Sequence, residues 1–192
     1  RQTRRIKAMS WQKTVMANIP GGLLGLRAAQ YVVYGGKLTC FSHRLVGENT
    51  HEIRGHSWDY DTFLKLSEKT VTEENKAVFI DQYVPYHPDW SLIGVKLDAE
   101  AYYKNLRRVF DRVEAELGLR VVIATHPRSD YDKKSKVFGD RRAFCGQTME
   151  LIRQSRLVMT GTSMAKNFAI LFRKPLLILT PRSLYDSVVG SV

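Results

Sequence analysis

The sequence predicts an α/β fold in which a parallel β-sheet lies between two layers of helices. The first observation is a set of four short apolar runs that do not alternate with polar residues. Such continuous runs are typical of strands that are covered on both faces, as in parallel sheets. The second observation is that helical patterns separate these runs, and right-handed connections then give a Rossmann-like three-layer domain. The predicted strands are Ala77–Ile80, Val121–Ala124, Leu157–Thr160 and Leu176–Leu179.

Periodicity and end signals predict the helices of this domain. Apolar residues recur at steps of three and four over Tyr102–Leu117, which is the pattern of an amphipathic helix. The carboxylate of Asp98 is suited to accept from the free amides of the first turn, and Gly118 suits the left-handed position that ends a helix. Two shorter helices are predicted over Thr148–Ser155, with Thr148 as the cap, and over Ser163–Phe172.

The first part of the chain has a different composition. Residues 1–54 contain nine Lys and Arg against two Glu, which gives a local surplus of seven positive charges within a net charge of +11. A helix is predicted over Arg1–Met16. We therefore predict two parts. Residues 1–76 are a basic, partly helical linker or the remnant of an N-terminal domain. Residues 77–192 are the Rossmann-like domain, which is expected to be cut short at its C-terminal end.

Length and composition disfavour several classes of protein. The chain has 192 residues, 44% of them hydrophobic and 26% charged, as is typical of a soluble globular protein. Cys40 and Cys145 match no zinc or redox spacing, so a reducing, cytoplasmic setting is expected. No apolar run has membrane-spanning length, and neither a dinucleotide fingerprint nor a Walker-type loop follows a strand. No histidine pair has metal-ligand spacing either, so no metal or cofactor requirement is predicted.

Polar residues directly follow three of the predicted strands. Open parallel sheets bind ligands beyond the carboxyl ends of their strands. We therefore expect these residues to gather at one edge of the sheet and to form a binding site for a ligand. They are Asp81, Gln82, His126, Pro127, Arg128, Gly161, Thr162 and Ser163.

Two of these groups have the chemistry of a phosphate site. Gly161 permits close approach, and the next two residues are placed at the start of a helix, where free amides bind anions. Pro127 keeps the preceding residue extended, so His126 is expected at the tip of its strand, with Arg128 able to clamp an anion. The alternatives are an ordinary helix cap for Thr162 and Ser163 and a structural turn for the His-Pro-Arg segment.

Other polar residues admit two interpretations. Asp81 and Gln82 face the ligand or cap their loop. A second His-Pro pair at His87 lies seven residues past its strand. Asp59 and Asp61 make a general base with His56 as an orienting partner, or they are turn residues of a linker.

The order of these motifs resembles the donor-binding C-terminal domain of GT-B glycosyltransferases. The likeness covers about residues 77–182 and is greatest to bacterial sialyltransferase-like and polysialyltransferase-like enzymes and to related capsule and lipopolysaccharide transferases. Those enzymes carry an HP motif and a downstream Ser/Thr motif that bind the nucleotide phosphate of a CMP-sugar. His126-Pro127 matches the first motif, and Thr162-Ser163 matches the second.

The resemblance implies transfer of a sugar, sialic-acid-like or Kdo-like, from a CMP-linked donor to a glycan or lipid-linked glycan acceptor. The donor phosphate would rest on the helix near Ser163, with His126 and Arg128 beside it. The acidic-Gly motif that supplies the family's catalytic base is absent from this sequence, so the base either lies upstream of Arg1 or is Asp59 or Asp61. The basic N-terminal part implies a peripheral position at the inner face of an anionic membrane.

Two other functions fit the same pattern. UDP-sugar 2-epimerases share this architecture and a similar His-Pro pair, so a sugar-nucleotide epimerase is the first alternative. The net charge of +11 also suits a non-catalytic module that binds anions or nucleic acid. However, no nucleic-acid recognition motif is present, so no specific nucleic-acid partner is expected.

Overall fold

The computed structural model describes residues 19, 23, 25–39, 45–68, 70–88, 97–131 and 136–181, of which residue 37 is described by its backbone alone. The chain divides into two compact units, Arg1–Asp61 and Thr62–Val192, and the boundary falls inside helix α1 (Trp58–Ser67). The predicted helix over Arg1–Met16 lies outside the described residues.

The first unit contains a small parallel sheet. Strand β1 (Tyr31–Tyr34) pairs with β2 (His51–Arg54), with Tyr31 opposite His51. A 3₁₀ turn over Lys37–Thr39 follows β1. Six of the eight residues of this sheet are exposed, while Val32 is partly buried and Tyr34 is buried.

The second unit is built on a five-stranded sheet in which every pairing is parallel, in the order β5-β4-β3-β6-β7. This confirms the α/β prediction and all four predicted strands to within a residue at each end. The fifth strand, β5, was not predicted from the sequence. The strands are β3 (Lys76–Ile80), β4 (Arg120–Thr125), β5 (Ala143–Cys145), β6 (Leu157–Thr160) and β7 (Leu176–Ile178).

Three helices cover the two faces of this sheet. Helix α2 (Ala99–Leu117) packs on one face through Phe110, while α3 (Thr148–Gln154) and α4 (Lys166–Leu171) pack on the other through residues such as Ile152. Successive residues of β3 alternate between these two cores, since side chains of a strand point to opposite faces. The three-layer arrangement explains why the strands are apolar throughout.

The ends of α2 agree with the sequence prediction. The Asp98 carboxylate accepts from the Ala101 amide at 3.1 Å, and Gly118 has a φ of 63° and ends the helix. Only glycine adopts this left-handed conformation without a steric cost, so the stop signal is specific.

The predictions for the two shorter helices were wrong in part. Thr148 is not the cap of α3, because the capping position is held by Gln147, which makes no side-chain bond to the helix. Helix α4 starts at Lys166 rather than at Ser163. The Lys166 amide donates to the Ser163 carbonyl at 3.2 Å, so residues 163–166 form a turn. The helix begins only after this turn, at Lys166.

The end of α4 has the hydrogen bonds of a Schellman motif. The Arg173 amide donates to Ile170 and the Lys174 amide to Ala169. Arg173 has a φ of 54° and occupies the left-handed position where helices commonly carry glycine. This non-glycine residue turns the chain into β7.

Candidate functional site

The strand order places a candidate ligand crevice at the carboxyl edge of the second unit. From β3 the chain proceeds to β4 and β5 on one side, and it then returns to β6 and β7 on the other side. Strands β3 and β6 are neighbours, but the chain leaves β3 toward one side of the sheet and leaves β6 toward the other side. In doubly wound sheets, ligands bind at this reversal of strand order. We call the loops that follow β3, β4 and β6 the carboxyl edge.

Gln82 joins two of these loops across the crevice. Its Oε1 accepts from the Thr162 amide at 2.8 Å, and its Nε2 donates to the Thr162 hydroxyl at 3.0 Å. A Cβ atom on Gly161 would lie 2.5 Å from Gln82 Oε1, which is closer than any real contact allows. A larger residue at this position would therefore displace the Gln82 amide from its place against Thr162.

Asp81 joins the loop after β3 to the loop after β4. One carboxylate oxygen accepts from the Tyr83 amide at 3.0 Å, and the other accepts from the Tyr131 hydroxyl at 2.7 Å and the His126 amide at 3.4 Å. The residue is only 3% exposed, so its carboxylate holds the loops together from beneath. Burial raises the pKa of Asp81, and the three hydrogen bonds oppose that shift.

Tyrosine hydroxyls extend this network into the core. The Tyr131 hydroxyl lies 2.9 Å from that of Tyr103, and the Tyr83 hydroxyl donates to Asp130. Burial raises the pKa of both Tyr103 and Tyr131, so these groups remain protonated. Tyr83 itself has a φ of 55°, an uncommon value for a bulky residue and one often found at functional sites.

His126 lies in a turn that fixes which ring nitrogen bears the proton. Its carbonyl accepts from the Ser129 amide and hydroxyl, and its Nδ1 accepts from the Arg128 amide at 3.2 Å. Because Nδ1 accepts, the proton of the neutral ring is on Nε2. Burial lowers the pKa of His126, and His87 and Arg128 lower it further, while Asp81 opposes them. At neutral pH the ring is therefore an uncharged N–H donor.

Basic groups surround His126. The rings of His87 and His126 have centroids 5.9 Å apart and planes at 83°. Arg128 and Pro127 are exposed. Among the residues that the structure describes, the Arg128 side chain makes no ion pair. An exposed guanidinium at this edge is suited to bind an anion.

A cavity of about 780 Å³ opens beside Gln82 and Thr162. Its walls are mainly apolar, with side chains from α2 on one side and the end of β7 on the other. A volume of this size, with a few polar groups at one end, is typical of small-molecule sites. The wall on this side includes the α2 residues Ala101, Tyr102, Asn105, Leu106 and Val109, together with Asp98 at the N-cap of the helix.

Ser163 and Thr162 do not form the helix-start anion site that the sequence predicted. Helix α4 begins three residues after Ser163, and the Ser163 hydroxyl accepts from the Ala165 amide at 3.2 Å. The Thr162 amide is already bonded to Gln82. The amides expected to be free for a phosphate are thus partly used within the turn.

The predicted acidic residues of the first unit lie at the start of α1. Asp59 and Asp61 are in its first turn, and Asp61 Oδ1 is 3.0 Å from His56 Nδ1. Both side chains of this pair are about half exposed. The structure therefore brings together His56 and Asp61, as a base and its orienting partner require.

A second cavity, of about 520 Å³, lies at the opposite edge of the sheet, where β4 begins. In its wall, Arg141 donates to Asp111 at 2.6 Å and to both oxygens of Glu114. These ion pairs stabilise the fold. The cavity lies where β4 begins, away from the carboxyl ends at which parallel sheets bind ligands, so it is a weaker candidate than the carboxyl edge.

The sequence did not single out the tyrosines or the proximity of His87 to His126. Tyr103 has the same helical spacing as ordinary core residues, and Tyr131 is one polar residue in a longer loop. The sequence does indicate that these loops follow neighbouring strands and so lie at one edge of the sheet. It does not indicate which side chains of the loops contact one another. Asp81 and His126 lie 45 positions apart, so their contact depends on strand order.

Neither a metal cluster nor a membrane-spanning helix is found in the described ranges. No group of three His, Cys, Asp or Glu side chains is close enough to hold a metal ion there, and no helix is long and apolar enough to cross a membrane. No protein-family model matches the chain, and no curated protein matches it either. The fold of the second unit and the geometry of its carboxyl edge therefore carry the functional argument.

Proposed function

We propose that this chain is the nucleotide-sugar-binding part of a glycosyltransferase of bacterial surface polysaccharide synthesis. The donor is a CMP-linked sugar of the sialic-acid or Kdo type, and the acceptor is a glycan or lipid-linked glycan. The single observation that carries the proposal is the reversal of strand order at β3, with the Gln82–Thr162 pair joining the loops after β3 and β6 and with His126 and Arg128 in the loop after β4.

The crevice offers separate surroundings for the two ends of a nucleotide. The apolar cavity beside Gln82 suits the nucleoside, since planar rings gain free energy from burial against apolar side chains. The phosphate suits the carboxyl edge, where His126 supplies an uncharged N–H donor and Arg128 a full positive charge.

The same groups have a role in sugar transfer. As the bond between the sugar and the phosphate breaks, negative charge grows on the nucleotide phosphate. Donors that are already in place stabilise that charge without reorganisation. The Asp81 network keeps His126 in place, and Gln82 keeps Thr162 in place, so the loops are preorganised. A carboxylate such as Asp61, paired with His56, is the candidate base for the acceptor hydroxyl.

The proposal is tested by calorimetric titration of the chain with CMP, UDP and GDP. We expect CMP to bind and the His126→Ala and Gln82→Ala variants to weaken binding at least tenfold. The matched control is Arg112→Ala, which removes an exposed cation that pairs with Glu116 on α2. Failure of a folded protein to bind any of the three nucleotides would overturn the proposal.

Product analysis distinguishes transfer from epimerisation. A transferase consumes the sugar nucleotide only when an acceptor is present, whereas an epimerase converts it without an acceptor. We expect acceptor-dependent release of CMP. Preference for UDP, together with conversion of a UDP-sugar in the absence of acceptor, would favour the epimerase instead.

A further inference from the structure

Two imidazoles from different loops lie together at the carboxyl edge. His87 ends the 3₁₀ turn Val84–Tyr86 that follows β3, and His126 follows β4. Their ring centroids are 5.9 Å apart, and both side chains are partly exposed. Donors that bond at about 2.8–3.0 Å can converge on one tetrahedral anion from two rings at this separation.

The charges around the pair favour an anion between or beside the rings. Arg128 is exposed nearby and makes no ion pair among the described residues. Asp81 contributes the buried negative charge on this side, but protein donors already occupy its oxygens. Asp130 accepts from the Tyr83 hydroxyl. These two acidic groups are therefore engaged by protein donors, whereas the Arg128 guanidinium makes no ion pair among the described residues.

We propose that His87 and His126 form a two-imidazole clasp for the phosphate of the ligand, and that the clasp takes up a proton when the phosphate binds. The phosphate is that of the nucleotide, so this inference rests on the proposed function. It adds His87 as a binding residue, and it makes affinity depend on pH.

The proton uptake follows from the surroundings of the empty clasp. Burial, His87 and Arg128 all hold the pKa of His126 below its ordinary value, so the ring is neutral when no ligand is present. A bound phosphate adds negative charge beside the rings and favours their charged form. Because the two equilibria are linked, a ligand that raises the affinity for a proton is itself bound more tightly when the proton is present.

The test is calorimetry with nucleoside 5′-(methyl phosphate) esters of cytidine, uridine and guanosine. A phosphodiester carries one fixed negative charge near neutral pH, so any proton taken up comes from the protein. We expect the best ligand to bind about tenfold more tightly at pH 6 than at pH 8, in the range where imidazoles titrate. Buffers with different ionisation enthalpies should report uptake of a proton, and the parent nucleoside should show neither effect.

The variant that isolates the new residue is His87→Gln, which keeps a hydrogen-bond donor but does not titrate. We expect it to reduce the pH dependence to about threefold or less, while His51→Gln, which removes an imidazole of the first unit, retains the full effect. If His87→Gln fails to fold, ring NMR of the wild type replaces it. The C–H signals of both rings should then move when the ligand is added, and those of His126 should titrate at higher pH once it is bound.

The outcomes separate this inference from the proposed function. Equal affinity at both pH values, or an undiminished pH effect in His87→Gln, overturns the clasp while the nucleotide site remains. Absence of binding at either pH overturns the nucleotide site, and with it the clasp.

Discussion

The two edges of the five-stranded sheet use polar residues in opposite ways. At the amino edge, Lys76 is 5% exposed and its ammonium bonds to Glu74 and Gln154, while Arg141 bonds to Asp111 and Glu114. At this edge, cationic side chains therefore bond to acidic ones.

At the carboxyl edge, polar side chains bond mainly to loops. Asp81 and Gln82 tie three strand ends together, and the Arg128 guanidinium has no acidic partner within the described ranges. The contrast teaches that ion pairs fasten one edge, whereas hydrogen bonds to loops fasten the other, where Arg128 makes no ion pair among the described residues.

The largest expected effect compares one arginine from each edge. The Arg141 side chain is 12% exposed and lies over the Phe110 ring, so Arg141→Ala leaves Glu114 without its charge partner. We expect a loss of about 3 kcal/mol in the free energy of unfolding, measured with urea. Arg128→Ala should cost less than about 0.5 kcal/mol but weaken nucleotide binding.

Arg112→Ala is the control for this comparison, because it breaks an exposed pair with Glu116 and should cost no more than about 0.5 kcal/mol. Equal destabilisation by Arg128→Ala and Arg141→Ala would mean that the arginines of the two edges contribute equally to stability.

The second prediction concerns the rigidity of the carboxyl edge. Gly161→Ala places a methyl group against Gln82 Oε1 and breaks its bonds to Thr162, at an expected cost of about 1–2 kcal/mol. In the Gln82→Ala background the added methyl group no longer meets Gln82 Oε1. The losses in the free energy of unfolding caused by Gly161→Ala and Gln82→Ala should therefore sum to more than the loss in the double variant. Additive costs in the double-mutant cycle would show that the glycine and the glutamine act independently.

The third prediction contrasts the pH dependence of two carboxyl groups. Burial raises the pKa of Asp81, so its contribution to stability is present at acid pH and is lost as the pH rises through its folded pKa. Asp81→Asn should therefore gain stability relative to the wild type as the pH rises from about 4 to 8, by an amount on the order of 1 kcal/mol.

Glu73, near the amino edge, should behave in the opposite way. The hydrogen bond from Lys174 lowers the pKa of Glu73, and Arg156 adds to this effect. Its contribution is present above its unfolded pKa and is lost as the pH falls through its folded pKa. Urea titrations of Glu73→Gln and Asp81→Asn across pH should therefore diverge from the wild type in opposite directions, and parallel curves would contradict the assignment.

The smallest expected effect uses two residues with positive φ. Arg173 ends α4 just before β7, at the amino edge, and Arg173→Gly should stabilise the protein by up to about 1 kcal/mol because the left-handed position suits glycine. Tyr83 has almost the same φ at the carboxyl edge, but its hydroxyl bonds to Asp130 and its ring contacts Tyr86 and Tyr131. Tyr83→Gly should thus destabilise the protein, as thermal unfolding of both variants will show.

The fold of the second unit could be predicted from sequence because its signals are local. Buried strands are apolar throughout, and the ends of α2 carry Asp98 and Gly118. Strand β5 could not be predicted because it has only three residues, between two arginines and a glycine. A segment of this length is too short to show the hydrophobic pattern of a strand. The start of α4 was predicted three residues too early because Ser and Thr suit turns as well as helix caps. Here Ser163 lies in a turn that precedes the helix.

The residues of the candidate site could be predicted as a group but not as contacts. Parallel strands bring their carboxyl ends to one edge, so Gln82, His126 and Thr162 were expected near each other. Which of them touch depends on which strands are neighbours, and no local pattern encodes that order. The bonds of Gln82 to Thr162 and of Asp81 to His126 follow from β3 lying between β4 and β6.

The central place of β3 also has a consequence for how the protein folds. Its last residue, Ile80, pairs with Ala124 on one side and with Thr160 on the other, and the second partner is 80 positions away along the chain. Closing so long a loop costs entropy before any contact repays it, which slows folding. The carboxyl edge is complete only once that loop is closed, so the candidate site and the completed sheet should appear in the same kinetic step.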